Sequence, residues 1–486
     1  MKKILTWVVA TTLLLASFMV LRTLAFTPPT SAKVAEHSVT VDAQRVAKNL
    51  SKAIQFRTVS AQLKTKPEHD QFEAFINWLA ATYPEVHAHL QPQRLGQYSL
   101  LFTWPGTQPT LPSALLSSHY DVVPVIPGSE KLWTHPPYSG VIDQTHIWGR
   151  GALDDKSAVI ALMEATSLLL HEGFQPERTM YLSLTHDEEI GGVQGTASIV
   201  KQLKNNGTHL AWTLDEGAFL LQGFFPGIEQ PVASINVAEK GSMSVNLIAH
   251  GQGGHSSMPP RETAVGVLAA ALLNLQEAPL PGTLEGESGG MIDTIARHMP
   301  FSQRLLFANR WLFGGLIDAT LAKNPATDAT LRTTTAPTML SASVKQNVLA
   351  IEAVATVNFR LHPRDSIESV TEHIHTAVDD ARVDVELLGG RAASRVSSSK
   401  SAGFQVIANA AKSTYGQIII APGLTIAGTD SRRYEAIAEN SYRFNPMVVT
   451  PKDTAGFHGT NERISIDNMV KATSFYNQLI REGSRG

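Results

Sequence analysis

Two short apolar runs, residues 114–118 and 179–184, flank a stretch at 157–170 whose apolar residues recur at helical spacing. A buried strand, a helix and a second buried strand in that order predict an α/β unit with a mainly parallel sheet. No other feature restricts the fold as strongly. In such sheets the side chains at the carboxyl ends of the strands converge on one crevice, so those ends are where chemistry is expected. A helix is predicted over 72–81. Beyond about Ala238 the pattern changes: 244–248 and 351–359 read as strands, 263–275 and 367–378 as helices. This stretch reads as an inserted α+β domain, interrupted by an apolar-rich segment at about 277–335. After about Ser399 the helix-then-strand rhythm returns, as if the chain rejoined the first sheet.

The strand ends carry an unusual density of His and carboxylate. Ser118-His119-Tyr120-Asp121 follows the first strand, and Gly149-Arg150-Gly151-Ala152-Leu153-Asp154-Asp155-Lys156 opens the helix. Thr185-His186-Asp187-Glu188-Glu189 ends the second strand, Leu214-Asp215-Glu216-Gly217 ends a third, and Phe457-His458-Gly459-Thr460-Asn461-Glu462 lies far downstream. Each segment alone reads as a solvated pair or as acidic residues at a helix start. Around consecutive strand ends, however, like charges repel unless a cation neutralises them. The 486 residues include 17 His and 43 Asp plus Glu but no cysteine, so any metal must be held by imidazole and carboxylate. The formal charge of −3 argues against a nucleic-acid binder.

At its start the chain reads Met1-Lys2-Lys3, then an apolar run from Ile4 to about Leu21, then Arg22. A basic start before such a run is an export signal, and eighteen apolar residues are just enough to span a bilayer. Residues 1–26 are read as an uncleaved signal anchor, with a cleaved signal peptide and a secreted body as the alternative. The lysines precede the span, which puts the body outside the cytoplasm. Residues 27–40 read as a polar linker.

The ordered set His119-x-Asp121, Asp154, Glu188-Glu189, Asp215 and His458 resembles the M20 family of dinuclear zinc metallopeptidases. Four segments resemble the branch containing carboxypeptidase S and the N-fatty-acyl-amino-acid hydrolases: Ser118-His119-Tyr120-Asp121-Val122-Val123-Pro124, Gly149 through Lys156, His186-Asp187-Glu188-Glu189 and His458-Gly459-Thr460-Asn461-Glu462-Arg463. The likeness covers about residues 41–480. It implies a catalytic domain in two pieces, 41–238 and 397–486, with a lid and dimerisation domain at 239–396. It also implies two divalent metal ions, zinc in the first instance, with cobalt and manganese accepted by the same ligands. His119 and Asp215 would hold one ion, Glu189 and His458 the other, and Asp154 would bridge both. Asp215 and Glu216 are adjacent and either carboxylate would serve; the Leu-Asp-Glu-Gly pattern favours Asp215. Asp121 would orient the His119 imidazole. Glu188 would be the general base, taking a proton from the attacking water and giving it to the leaving amine.

His255, in Gly251-Gln252-Gly253-Gly254-His255-Ser256-Ser257, would by the same resemblance stabilise the oxyanion, often from the partner subunit of a homodimer. The plain alternative is a tight glycine turn. Asn347 and Arg391 resemble lid residues that bind a substrate carboxylate, with Arg360, Arg395 and Arg432 as competitors. The loop Gly428-Thr429-Asp430-Ser431-Arg432 is expected to pack under the site. The expected reaction is hydrolysis of an amide next to a free-carboxylate amino acid, on an N-acyl amino acid or small peptide. The alternatives are a dipeptidase and a non-catalytic binding module. The apolar insert, with Phe301, Leu305, Phe307, Trp311, Phe313 and Leu316, would close the lid core, accept a fatty acyl chain or lean on a bilayer. Gly286-Glu287-Ser288-Gly289-Gly290 fits Gly-x-Ser-x-Gly but lacks the preceding strand of a nucleophile elbow, and reads as a flexible loop. His171-Glu172 lacks the second His of a zinc-protease helix.

Overall fold

The computed structural model describes residues 2–29, 34–35, 39–60 and 68–486, except the side chains of 287 and 288. Part of the expected linker, at 30–33 and 36–38, lies outside the described residues. Ten strands form the main sheet in the order Gln93–Leu95, Ser99–Trp104, Met180–Thr185, Ser113–His119, Leu210–Asp215, Ala438–Arg443, Val232–Glu239, Leu220–Leu221 and Val448–Val449, with Ile419–Thr425 also paired to Val232–Glu239. The four strands from Met180–Thr185 to Ala438–Arg443 are parallel to one another. Their register sets His119 beside Thr185 and Asp215 beside Arg443, so the carboxyl ends line one edge of the sheet.

The central strands are buried because helices cover the sheet. Ser113–His119 is buried at every residue but its first. The helix Lys156–His171 buries nearly all of its length, against the sheet on one side and the helices Ala43–Ile54 and Ile466–Gly483 on the other. A helix so enclosed has no polar face to signal its orientation, which fits its run of Ala, Val, Ile, Leu and Met. The C-terminal stretch does rejoin the sheet: Ala438–Arg443 lies in its middle.

A second sheet runs Thr334–Ser341, Glu352–Leu361, Gly241–His250, Val383–Arg391, all antiparallel. Along Gly241–His250 buried and half-buried residues alternate strictly, as a sheet covered on one face requires. The helices Ala264–Glu277 and Ile367–Val378 supply that cover and close a separate apolar core with Val245, Leu247, Val357 and Phe359. The apolar segment between the lid strands is four short helices: Gly286–His298, Phe301–Ala308, Arg310–Leu321 and Pro325–Leu331. The flexible loop expected at 286–290 is instead the first turn of a helix. Tertiary packing overrides the local glycine preference there, because Met291 and Ile295 pack against Val232 and Ile419 of the main sheet.

Candidate metal centre

His119 is the last residue of its strand and is 1% exposed. Its Nδ1 lies 3.3 Å from Asp121 Oδ1, and its Nε2 lies 2.9 Å from Asp154 Oδ1. Burial opposes protonation of this ring, but Asp121 and Asp154 outweigh it and hold the imidazolium well above the usual range. Asp121 has a second task. Its two carboxylate oxygens accept the backbone N–H groups of Glu188 (3.2 Å) and Glu189 (3.1 Å), so it fixes the turn that carries both glutamates. That turn is a single 3-10 winding, Glu188–Ile190, directly after strand Met180–Thr185. Gly192 then takes φ 61°, and a Cβ there would meet Asp430 Oδ1 at 2.0 Å, so only glycine fits.

Asp154 stands between two groups of ligand atoms. One is His119, Asp154 and Glu216; the other is Asp154, Glu189 and His458. In each, the offered atoms lie within 4.8 Å of one another. His458 Nε2 is 3.1 Å from Asp154 Oδ2 and 3.3 Å from Glu189 Oε2, and these contacts push its pKa up to about 10.

The expectation of Asp215 differs from this geometry: among the described residues, Glu216 completes the first group and Asp215 does not. Asp215 is the last residue of its strand, and successive residues there point to opposite faces. Its charged neighbours are His119, Arg443, Glu239 and Asp430.

The donor set suits hard or borderline cations. Burial pushes the carboxyls of Glu188 and Glu216 well above the usual carboxylate range, and neighbouring Asp154, Glu188, Glu189 and Asp430 add to it. Glu189 Oε1 is buried without a hydrogen-bond partner. Crowded buried carboxylates and an orphaned oxygen of this kind are relieved by cations.

Glu462, present in the last motif but given no role by the sequence reading, ties the site together. It is fully buried, and its Oε1 accepts the N–H groups of Gly151 (3.0 Å), Leu153 (2.7 Å) and Asp154 (3.3 Å). Its Oε2 pairs with Arg150 Nη1 at 2.5 Å, while Arg150 Nη2 donates to Gly459 O. The loop bearing His458 is thereby latched onto the loop bearing Asp154. The pairing of one Arg and one Glu, each inside a site motif, was the available signal.

A cavity of about 1040 Å³ opens from the cluster, lined by Asp154, Glu188, Glu189, Glu216 and His458 at one end. Phe219, Phe224, Phe225, Met291, Ile295 and Phe307 make most of its wall apolar, and Arg360, Arg391 and Arg432 also line it. Burial and the adjacent Arg432 lower the Arg391 pKa. Arg395 is engaged elsewhere, with Glu435 O and Ala438 O. His255 and Asn347 are neighbours on a small exposed ribbon, where His255 pairs with Val348 and Ser256 N donates to Asn347 O. Neither lines the cavity within this chain. Asp430 accepts from Thr185 Oγ1, and Thr429 Oγ1 donates to Glu239 Oε2, so that loop packs beneath the site as expected.

Comparison with known proteins matches this architecture. The chain is 39% identical over 443 residues to "Probable carboxypeptidase S-like 2" of Dictyostelium discoideum, covering 90% of this chain and 84% of the relative. It is 38% identical over 438 residues to the human "N-fatty-acyl-amino acid synthase/hydrolase PM20D1", covering 89% and 86%. In fold it is similar to the M20 family metallo-carboxypeptidase Sso-CP2 from Sulfolobus solfataricus, with a TM-score of 0.64 at 20% identity over 90% of this chain and 99% of that one. The profile of peptidase family M20/M25/M40 matches residues 115–482, and the chain belongs to that family of metal-dependent hydrolytic enzymes.

Proposed function

We propose that the chain hydrolyses the amide bond of N-acyl amino acids with long apolar acyl groups. The observation that carries this reading is the cavity: about 1040 Å³, apolar along most of its wall, running from the carboxylate cluster and holding three arginines. A site for a dipeptide alone needs neither that volume nor that wall, since ligand pockets start at roughly 300 Å³. The arginines suit the free carboxylate through paired N–H donors.

His119, Glu216, Glu189 and His458 would hold two divalent ions, zinc in the first instance, with Asp154 shared between them. When bound, the ions lower the pKa of water and polarise the substrate carbonyl. Asp121 keeps the His119 ring oriented. Glu188 takes the proton of the attacking water and returns it to the leaving nitrogen; its upward-shifted carboxyl suits a group that must both accept and release a proton near neutral pH. His255 would donate to the oxyanion from a second copy, which its exposure on the lid ribbon supports. Lys2–Ala25 would serve as an uncleaved anchor with the body outside the cytoplasm.

Rates on N-acetyl-, N-octanoyl- and N-lauroyl-leucine should rise in kcat/KM by up to about fourfold per buried methylene, from about 0.8 kcal/mol each. Turnover of Gly-Leu with none of the lauroyl substrate would overturn the proposal. Glu188→Gln should lower kcat by at least about 10²-fold while metal content, measured by mass spectrometry, is unchanged.

A further inference from the structure

The helix Lys2–Ala25 turns its apolar side chains outward: Trp7 and Leu14 are more than 70% exposed. Its last two turns behave differently. Thr23 is fully buried, and Asn309, also fully buried, donates through Nδ2 to Met19 O (3.2 Å) and Thr23 Oγ1 (3.3 Å). Arg22 Nε donates to Ala308 O at 3.2 Å. The Arg297 guanidinium lies 4.2 Å from the centroid of the Phe26 ring. Phe18 meets the Trp311 ring edge-on, with centroids 6.4 Å apart. The end of the N-terminal helix is therefore docked on the apolar insert.

The insert helices have two sides. Phe307 and Leu321 face the cavity. Trp311, Leu312 and Leu316 lie on the outside, 49–57% exposed, with Phe301 44% exposed beside them.

We propose that this outer face of the insert lies in the lipid of the bilayer that the N-terminal helix crosses, so that the catalytic body is seated on the membrane and not merely tethered to it. The inference rests on the anchor reading. About 20 helical residues cross a hydrocarbon core of roughly 30 Å. Counted from Ile4, the core then ends near Thr23. Phe18 lies short of that boundary, and Trp311 is in contact with Phe18, so Trp311 sits at a depth where the surrounding medium is lipid. Tryptophan favours the edge of the membrane, and Arg22, next to Thr23 at that boundary, stands where headgroup phosphates would meet it. The cavity and the lipid-facing surface are then opposite sides of one helical layer, about 10 Å thick. An amphiphile partitioned in the membrane has a short path to the site.

The test uses the full chain reconstituted in phosphatidylcholine vesicles with bromine on the acyl chains, which quenches tryptophan fluorescence at the depth of the bromine. Of seven tryptophans, Trp7 and Trp311 are the two more than half exposed. Bromolipid quenching should persist in Trp7→Phe and vanish in the Trp7→Phe/Trp311→Phe double variant. Quenching in Trp311→Phe but not in Trp7→Phe would leave the anchor standing and overturn the seated face. Quenching in neither would overturn both. The chain has no cysteine, so Leu316→Cys accepts a single nitroxide label as an independent reading. Collisional access to oxygen should exceed access to a water-soluble nickel chelate; the reverse order refutes the inference.

Discussion

Replacing Glu462 by Gln tests the latch between the two halves of the site. The exchange keeps shape and volume but puts an amide against Arg150, which is 2% exposed and remains a buried cation without its carboxylate. Three backbone N–H groups also lose a charged acceptor and keep at best a neutral one. Breaking a buried pair from one side costs about 3–5 kcal/mol, which at about 2 °C per kcal/mol for a large domain lowers the Tm by about 6–10 °C. Since Glu462 holds the Asp154 backbone and the His458 loop together, a displacement of about 1 Å should also lower kcat by about 10²-fold. Differential scanning calorimetry and steady-state hydrolysis, measured on the same preparation, give both numbers. A Tm within about 2 °C of the parent and an unchanged kcat would refute the latch.

The choice between adjacent carboxylates is settled by metal counting: Glu216→Ala should lose about one ion per chain, while Asp215→Asn should keep both. Inactive His255→Ala and Glu188→Gln chains, mixed under conditions of subunit exchange, should regain about a quarter of parental activity if His255 acts across a dimer; this is the statistical yield of one intact site in half the dimers. Lys240 gives a pH signature. It is 1% exposed, its Nζ donates to Ala329 O and Arg332 O, and burial lowers its pKa to about 8. A lysine depressed in the fold favours unfolding when charged, so its contribution is complete above the ordinary lysine pKa and fades as pH falls to about 8. Relative to Lys240→Met, the parent should gain about 2 kcal/mol in urea denaturation between pH 8 and pH 10; parallel pH curves would contradict this.

What the sequence made legible were features with local signals. The strands at 114–118 and 179–184 announce themselves through apolar runs, the helix between them through helical apolar spacing, and the lid strand read at 351–359, observed as Glu352–Leu361, through its alternation. The clustered histidines His119 and His458 follow because they lie at a strand end and in a short motif. Asp215 against Glu216 was not legible, because a shift of one residue at a strand end reverses the face and nothing local sets where the strand stops. Nor was the Glu462 latch, which joins residues 312 positions apart. The helix at Gly286–His298 was hidden by its glycines and exists through contacts with strands far away in sequence. The division of the apolar insert into a cavity side and an outer side depends on how its short helices are tilted, which composition does not encode.

The strand Ala438–Arg443 is inserted between Leu210–Asp215 and Val232–Glu239, deep inside the main sheet. Until that strand is made, the earlier ones have an open seam where it belongs, and His458 has not yet been synthesised. A chain ending before Ala438 lacks this strand and leaves the two strands that flank it with unpaired edges. Closure of the main sheet therefore depends on a strand contributed from far downstream of the two it joins.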